Sequence, residues 1–415
     1  MNNDLGRKFL IFALLAIFAF GAFMRINPTA SLSPTAKINP TMAKGAQLGF
    51  DEGRYANYLT TLRGSGFTSY PAMVRGYVTQ QRDLSFAIIP PTRVTFIAGA
   101  YLWQLASRSG ALLSLRAVSC LFTVLGLAVT AVFAWRMAGL PTALGITALM
   151  SCAPLQIQMA QRVYIDGAFA FWTLLTLWVL WESLRAPNHW GWLVGYVASL
   201  ALMVMTKENA AFVFLAIIAI IALNRWIHFG KITTRLLIGS CIGPVLGVLG
   251  LIVAAGGIGT LIEVYRLNIE KSYAIPYAIK TGDGPWFRYV LDLLTMSPAV
   301  TVLAIAGFFN VRRHDKGNAY FALFLASTYL IMANLRYGMN LRYASIWDMP
   351  LRWLAFAQLT AIAALVPRRF GSYFIIIGVG LLCVVDLNHY FLFFVQNGMY
   401  DPVPDSMLRI LDILK

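Results

Sequence analysis

Long uncharged hydrophobic runs alternate with short polar segments along almost the whole chain. An ionised side chain in the hydrocarbon core of a bilayer is costly, so each charge marks an interface or a functional cavity. Dividing the chain at its charges predicts eleven transmembrane helices, near residues 9–24, 112–135, 142–160, 167–181, 186–206, 209–224, 236–255, 293–311, 317–335, 353–367 and 370–392. The pattern therefore predicts an all-α polytopic membrane protein.

The segment 94–107 decides the topology. Only 14 residues separate Arg93 from Arg108, and a helix of that length measures about 21 Å against a hydrocarbon core of about 30 Å. We therefore predict an interfacial helix there, with the first apolar run as an uncleaved anchor. Two long loops, 25–111 and 256–292, then share one face, which we call the outer face.

The distribution of basic residues predicts the same orientation. The loops assigned to the cytoplasm carry twelve Lys and Arg residues against three Asp and Glu residues, whereas the rest of the chain carries 21 against 14. Short cytoplasmic loops are enriched in Lys and Arg. We expect an integral, multi-pass protein of the plasma (inner) membrane whose outer face looks toward the periplasm or the outside.

Composition excludes several other classes of protein. Hydrophobic residues make up 59% of the chain, charged residues 12%, and the mean hydropathy is +0.68, which excludes an ordinary soluble enzyme or a disordered chain. The net charge of +16 comes from basic residues that stand singly between apolar runs, so we expect no nucleic-acid partner. The cysteines predict neither a disulfide framework nor a zinc cluster, because all four lie inside apolar runs.

Outer loops of this length are uncommon without a function. In the first loop, Tyr55, Tyr58, Leu59 and Leu62 recur at helical spacing, which predicts short juxtamembrane helices lying on the membrane surface.

Carboxylates stand at two positions on the predicted outer face. Asp51 and Glu52 open a predicted surface helix, and Asp166 lies at the edge of the fourth span. Helix capping is the alternative interpretation of all three, because carboxylates are favoured at helix N-termini. If the two positions meet over one cavity, one carboxylate could deprotonate an acceptor hydroxyl while the other orients it or holds a metal ion.

Basic residues gather on the same face, at Arg162, Lys207, Arg336 and Arg342. A guanidinium fork or an ammonium group suits phosphate oxygens. Two alternatives remain open: Lys207 lies in a turn that merely ends two spans, and the arginines anchor the chain at the interface. Together with apolar grooves between the spans, the cluster predicts a lipid-linked phosphate as substrate.

The chain resembles the GT-C membrane glycosyltransferases, in particular the protein O-mannosyltransferase and lipid A aminoarabinose transferase branch. The resemblance covers roughly residues 9–210, with weaker similarity to about 370. The matching pieces follow the anchor helix in order: Asp51-Glu52-x-Arg54-Tyr55-Ala56, Pro90-Pro91, Leu115-Arg116-Ala117-Val118-Ser119, Arg162-x-x-x-Asp166, Thr206-Lys207 and Arg342-Tyr343.

The resemblance implies a single GT-C domain over residues 1–415 and inverting transfer of a sugar from a polyprenyl-phosphate donor to a lipid, glycan or protein hydroxyl. By that analogy Asp51 is the general base, and Glu52 and Asp166 orient the acceptor or shape the cavity. The donor phosphate is bound by Lys207, Arg336, Arg342 and Arg162, and the cavity is completed by Arg54, Tyr55 and Tyr343. A divalent metal ion held by Asp51 and Asp166 is a candidate cofactor.

The chain departs from the family at Ile88 and Ile89, where relatives often carry Lys or His before the Pro-Pro pair. Arg82 or Arg93 is the candidate replacement. A transporter or flippase for a lipid-linked or anionic solute is the alternative function, because many spans with intramembrane charges also suit alternating access.

Overall fold

The computed structural model describes residues 2–27, 50–312, 314–335 and 338–410. Its α-helices are α1 (Asn2–Ile26), α2 (Phe50–Ser65), α3 (Tyr70–Asp83), α4 (Val94–Ser107), α5 (Ala111–Ala138), α6 (Leu140–Ser151), α7 (Pro154–Gln161), α8 (Ile165–Arg185), α9 (Trp190–Val204), α10 (Ala210–Ile227), α11 (Thr234–Ala255), α12 (Ile258–Ser272), α13 (Pro276–Thr281), α14 (Arg288–Met296), α15 (Pro298–Phe309), α16 (Lys316–Met332), α17 (Asp348–Ala363), α18 (Arg368–Tyr390) and α19 (Pro402–Ile410). Three short helices of other types follow α2, precede α17 and follow α18: Phe67–Ser69, Leu341–Trp347 and Phe391–Gln396.

Helices occupy all eleven predicted spans. Among the described residues, six helices are long and apolar enough to cross a bilayer, or seven if the bent pair of α6 and α7 is one span. The helices of the other four predicted spans, α9, α15, α16 and α17, are shorter, at 15, 12, 17 and 16 residues. The helical, multi-pass architecture is confirmed, and the number eleven stays a prediction.

The third predicted span is broken. Helices α6 and α7 meet at an angle of 58°, because Pro154 begins a new helix after the extended residue Ala153. A break leaves backbone carbonyls without helical partners, which is costly away from water. The buried side chain of Arg25 donates to the carbonyls of Met150 and Ser151, and so stabilises the bend that directs α7 toward the functional site.

Small residues allow α9 and α11 to pack closely. A Cβ atom added at Gly243 would lie 2.7 Å from the Leu200 Cβ, and one at Gly247 would lie 2.7 Å from the Val204 Cβ. Close backbone approach over glycine is a main source of helix association in lipid, where apolar side chains gain little by leaving the hydrocarbon. This contact holds the end of α9, which carries the Thr206-Lys207 turn.

The helices of the first loop form a second hydrophobic core. The side chains of Tyr55, Tyr58, Leu59 and Leu62 are all buried in a cluster with residues of α3, α4 and the beginning of α5. The predicted short helices are present, but this apolar stripe faces protein and not the membrane surface. Helix α2 packs against α4, so the apolar face of α2 contacts the apolar face of α4 and not the membrane surface.

The predicted topology agrees with these contacts. The Arg342–Asp51 and Arg342–Asp166 ion pairs bring the segment before α4 and the segment after α7 to the same place. The chain must therefore cross the membrane an even number of times between these two segments. Helix α5 and the α6–α7 pair provide two crossings, so α4 does not need to cross. The Thr95 N–H donates to the Met205 carbonyl at 3.2 Å, which keeps α4 at the end where α9 finishes. We call this end, where α8 and α10 begin, the outer end.

A buried ion network anchors the Leu341–Trp347 helix to the bundle. Arg352 donates to Asp348 at 2.6 Å and to Asp386 of α18 at 2.7 Å. Gln156 of α7 donates to Asp348 at 2.8 Å and to the Ser345 carbonyl at 3.0 Å. Buried charges are tolerated when they are paired and hydrogen-bonded. The network fixes the segment that carries Arg342 relative to α7 and α18.

Candidate active site

Charged side chains from four distant segments meet at the outer end. Arg342 Nη1 lies 2.8 Å from Asp51 Oδ2 and 3.6 Å from Asp166 Oδ2. The ammonium group of Lys207 donates to Asp166 Oδ1. We call Asp51, Arg342, Asp166 and Lys207 the charge chain, because carboxylates and cations alternate along it. Four of the predicted site residues are thus brought together.

The two carboxylates of the charge chain differ in access. The Asp51 side chain is 21% exposed and bonds to Arg342 through Oδ2, whereas the Asp166 side chain is 3% exposed with a cation near each oxygen. Asp166 is not a helix cap, since Tyr164 occupies the N-cap position of α8. Asp51 is therefore the better placed of the two to receive a proton from a bound molecule.

Glu52 supports the site from behind. Its side chain is fully buried, and its carboxylate accepts hydrogen bonds from Arg162 Nε at 3.1 Å and from the Val163 N–H at 3.0 Å. These contacts tie the first turn of α2 to the segment that leads into α8. Arg162, predicted to bind phosphate, has this carboxylate as its ion-pair partner and keeps 29% of its side chain exposed.

The guanidinium of Arg342 lies in a corner made by two aromatic rings. The rings of Tyr164 and Tyr400 are each 4.7 Å from its central carbon, and they meet edge to face with centroids 5.9 Å apart. Burial alone would lower the pKa of Arg342, but the neighbouring Tyr400, Asp51 and Asp166 raise it well above its ordinary value. Arg342 therefore remains charged although it is buried.

Arg342 also keeps hydrogen-bonding capacity. Only Nη1 donates to a carboxylate. Within the described part of the chain, the buried Nε has no hydrogen-bond partner, and Nη2 donates no hydrogen bond to a described residue. Two adjacent N–H donors on one guanidinium edge match two oxygens of a phosphate. Lys207 has less spare capacity, because its ammonium group binds Asp166 and lies 3.7 Å from the centre of the Tyr343 ring.

Arg93 joins the site from the beginning of α4. It donates to the Tyr55 hydroxyl at 2.6 Å and to Glu208 Oε1 at 2.8 Å. Burial opposes ionisation of Glu208, but Arg93 and Lys207 hold its pKa below its ordinary value. Arg82, the other candidate replacement, is 62% exposed and pairs with Glu263, so the structure favours Arg93.

The apolar residues before the Pro-Pro pair have a structural role. Ile88 and Ile89 are buried in the second core, and their carbonyls accept hydrogen bonds from the hydroxyls of Tyr77 and Tyr58 at 3.1 and 2.5 Å. The two positions directly before the Pro-Pro pair thus serve packing in this chain.

The other predicted cavity residues lie outside the charge chain. Arg54 is partly exposed, and Tyr55 lies below the site, where its hydroxyl accepts from Arg93. Tyr343 is partly exposed beneath Lys207. Arg336 lies outside the described residues.

The described residues do not fit a divalent metal ion at Asp51 and Asp166 in this arrangement. Arg342 Nη1 faces both carboxylates, at 2.8 and 3.6 Å, and so takes the place that a bridging cation would need. No group of three His, Cys, Asp or Glu side chains in the described ranges is arranged to hold a metal ion. We therefore derive no step through a metal.

The C-terminal segment returns to the site, a contact that no motif predicts. Asp401 Oδ2 accepts from the Leu341 N–H at 3.4 Å, directly before Arg342. Asp401 and Asp292 of α14 are 1% and 0% exposed, and Asp401 Oδ1 and both Asp292 oxygens lack a hydrogen-bond partner among the described residues. Arg288 Nε lies 3.7 Å from Asp292 Oδ2 and offsets its charge only in part, so burial favours the protonated form of both carboxylates.

We expect the protein to lose stability as the pH rises from about 4 to about 7. Burial, aided by Asp292 and Asp405 and opposed by the Leu341 N–H and by Arg288, raises the pKa of Asp401 to about 7. Burial, opposed by Arg288, raises the pKa of Asp292 to about 6. The folded state therefore keeps protons that the unfolded chain has already released, and this contribution disappears above the folded pKa. Thermal unfolding in detergent at pH 5 and pH 8 measures the trend.

The variant Asp401→Asn serves as the control, because an amide cannot titrate. Its unfolding temperature should change less between pH 5 and pH 8 than that of the wild type. A wild-type unfolding temperature that rises over this interval would contradict the assignment.

Comparisons with known proteins agree with this architecture. The family model for dolichyl-phosphate-mannose-protein mannosyltransferases matches residues 99–315. ArnT from Cupriavidus metallidurans, in its structure bound to undecaprenyl phosphate, superposes with a TM-score of 0.54 and 14% identity over 94% of this chain and 75% of ArnT. The apo oligosaccharyltransferase of Archaeoglobus fulgidus gives a TM-score of 0.57 and 13% identity over 91% of this chain.

This chain covers only 55% of the archaeal enzyme. At these identities the similarity to the solved structures shows the fold. No curated protein sequence matches the chain. The family model, however, covers more than half of the sequence, and so the chain belongs to the dolichyl-phosphate-mannose-protein mannosyltransferase family and is an integral membrane glycosyltransferase with the GT-C fold.

Proposed function

We propose that this protein transfers a sugar from a polyprenyl-phosphate donor to a hydroxyl acceptor at the outer face of the membrane, with inversion at the anomeric carbon. The observation that carries the proposal is the charge chain, in which a partly exposed carboxylate, Asp51, lies 2.8 Å from a buried guanidinium with unused donors, Arg342. A base next to a phosphate-binding cation is what transfer from a phosphate-linked sugar requires.

The proposed reaction is a single displacement. Asp51 removes the proton from the acceptor hydroxyl, whose oxygen forms a bond to the anomeric carbon of the sugar. The bond from that carbon to the phosphate oxygen breaks on the opposite side, and its electron pair stays with the polyprenyl phosphate. General-base assistance of this kind typically contributes about 10²- to 10⁴-fold to the rate.

Arg342 stabilises the leaving group in this scheme. Negative charge gathers on the departing phosphate, and the Nε–Nη2 edge of Arg342 supplies two donors that no described residue uses. Fixed donors in a site with little water stabilise developing charge more strongly than water does. Asp166 and Lys207 neutralise each other and hold the arginine in place.

Solved relatives support the donor class. One ArnT structure is bound to undecaprenyl phosphate, and one structure of the archaeal oligosaccharyltransferase is a complex with a dolichol-phosphate and an inhibitory peptide. Both lipid ligands are polyprenyl phosphates. We extend this class to the present chain, with a lipid, a glycan or a protein as acceptor.

Another structure of the archaeal enzyme contains Zn and sulfate. This observation alone keeps a divalent ion as a candidate cofactor for the present chain. The proposed step does not use one.

We also propose that residues 1–415 form one catalytic membrane domain in the plasma (inner) membrane. The excess of basic residues in the predicted cytoplasmic loops supports a site that faces the periplasm or the outside. The transporter alternative gains no support from the family match or from the fold.

Right-side-out vesicles that contain the protein test the proposal. We expect a membrane-impermeant hydroxyl acceptor added outside to receive the sugar from a synthetic polyprenyl-phosphate sugar in the membrane, and an externally added nucleotide sugar not to replace that donor. The anomeric configuration of the product, read by NMR, should be opposite to that of the donor. Transfer from the nucleotide sugar alone, or retention of configuration, would contradict the proposal.

A further inference from the structure

The chain turns back after α18 and places an aromatic ring at the charge chain. Gly398 has a φ of +59°, which glycine adopts readily, and the Met399 N–H donates to the Phe393 carbonyl at 2.9 Å. The turn brings Tyr400 to Arg342, with 4.7 Å between the ring centre and the guanidinium carbon.

Several hydrogen bonds hold this turn in place. Asp405 accepts from the Tyr400 N–H at 2.6 Å. On the other side, Gln158 of α7 donates to the Met399 carbonyl at 3.4 Å, and Asp401 accepts from the Leu341 N–H. The turn is thus linked to α7 and to the segment that carries Arg342, so the position of the Tyr400 ring is set by the fold.

The contact restricts how the Arg342 guanidinium can lie. Its Nη1 atom faces two carboxylates, while the rings of Tyr164 and Tyr400 form a corner around its central carbon. A cation that is desolvated beside aromatic faces is attracted to them. Without the Tyr400 ring, the guanidinium would keep its charge, but only the Tyr164 ring would restrict the orientation of its plane.

We propose that Tyr400 is a positioning residue, which orients the Arg342 guanidinium so that one edge holds Asp51 while the Nε–Nη2 edge meets the donor phosphate. The proposal rests on the function proposed above. The hydroxyl group is not required for this role, because the contact with Arg342 is made by the ring.

Steady-state kinetics of ring variants test the proposal. Tyr400→Leu should lower kcat/KM for the polyprenyl-phosphate donor by about tenfold, as expected for loss of a desolvated cation–π contact. KM for the acceptor should change little. Tyr400→Phe should restore near wild-type values, because it keeps the ring. Tyr373→Leu is the matched control. Tyr373 is 66% exposed and lies in the first half of α18, whereas Tyr400 follows the end of that helix.

Three outcomes of these kinetic measurements would overturn the proposal. Wild-type kinetics in Tyr400→Leu would overturn the proposal, and so would an equal loss in Tyr400→Phe. An equal rise in both KM values would indicate a general structural role and would also overturn it.

Thermal unfolding gives a readout that does not need the reaction. If Tyr400 acts through Arg342, Tyr400→Leu should lower the unfolding temperature less in an Arg342→Met background than in the wild type. Equal shifts in both backgrounds would overturn the positioning role even if transfer activity is found. The expected coupling without any transfer activity would support Tyr400 and contradict only the proposed function.

Discussion

Replacing Asp51 by asparagine is expected to lower kcat by about 10²- to 10⁴-fold while the polyprenyl-phosphate donor still binds. Asparagine keeps the shape of the side chain and can still pack beside Arg342, but it cannot accept the acceptor proton. Asp51 is chosen over Asp166 because its side chain is 21% exposed and engages a cation through one oxygen, whereas Asp166 is 3% exposed between two cations. Turnover and equilibrium donor binding measure the two effects separately.

Two further variants sharpen this test. Asp83→Asn is the matched control, because Asp83 is an exposed aspartate of the same outer loop. Asp166→Asn removes the carboxylate that pairs with the buried Lys207, so it should lower thermal stability as well as activity. Wild-type turnover in Asp51→Asn would remove Asp51 from the role of base.

Replacing Arg342 by lysine should lower kcat/KM for the donor by about 10²- to 10³-fold, the usual range for loss of a donor to developing negative charge. Lysine keeps one positive charge for Asp51 but loses the adjacent Nε and Nη2 donors. The result therefore separates the need for charge from the need for a planar fork. Steady-state kinetics with a synthetic donor at fixed acceptor concentration measure it.

Arg82→Lys is the control for this substitution. Arg82 is 62% exposed on α3 of the first outer loop and pairs with Glu263, not with a member of the charge chain. If Arg342→Lys keeps the wild-type kcat/KM while remaining folded, Arg342 contributes only its charge, and the bidentate contact with phosphate is wrong.

Much of the architecture could be predicted from local chemistry. Burying a charge in hydrocarbon is so unfavourable that charges delimit helices, which is why predicted spans such as 112–135 and 236–255 correspond to α5 and α11. The length of α4 alone was enough to predict that this helix lies at the interface and does not span the bilayer. The broken span was not, because an alanine-proline pair such as Ala153-Pro154 does not by itself state whether the chain kinks or ends a helix.

The proximity of the candidate site residues was predicted in part. Asp51, Asp166, Lys207 and Arg342 are short motifs beside apolar runs, so their residue types and the shared face indicated that they could meet. Which carboxylate pairs with which cation could not be predicted, because those pairs join residues as far apart as Asp51 and Arg342. Nothing in the sequence distinguished Glu52, which is fully buried against Arg162, from Asp51, its partly exposed neighbour.

The C-terminal contribution was missed entirely. Tyr400 and Asp401 follow the last apolar run in an ordinary polar segment, and no motif marks them. They reach Arg342 only because the turn at Gly398 reverses the chain. A reversal of this kind is stabilised by hydrogen bonds to distant groups, such as the Leu341 N–H and the Gln158 side chain.

The sequence by itself determined that this protein is a multi-pass helical membrane protein, and it predicted carboxylates and cationic side chains on one face. It did so because the cost of placing charge in lipid acts on each residue independently of its distant neighbours. Only the tertiary structure decided which acid stays accessible, which cation keeps free donors and which rings surround it. Those properties depend on packing among segments hundreds of residues apart, and a hydropathy pattern carries no information about such contacts.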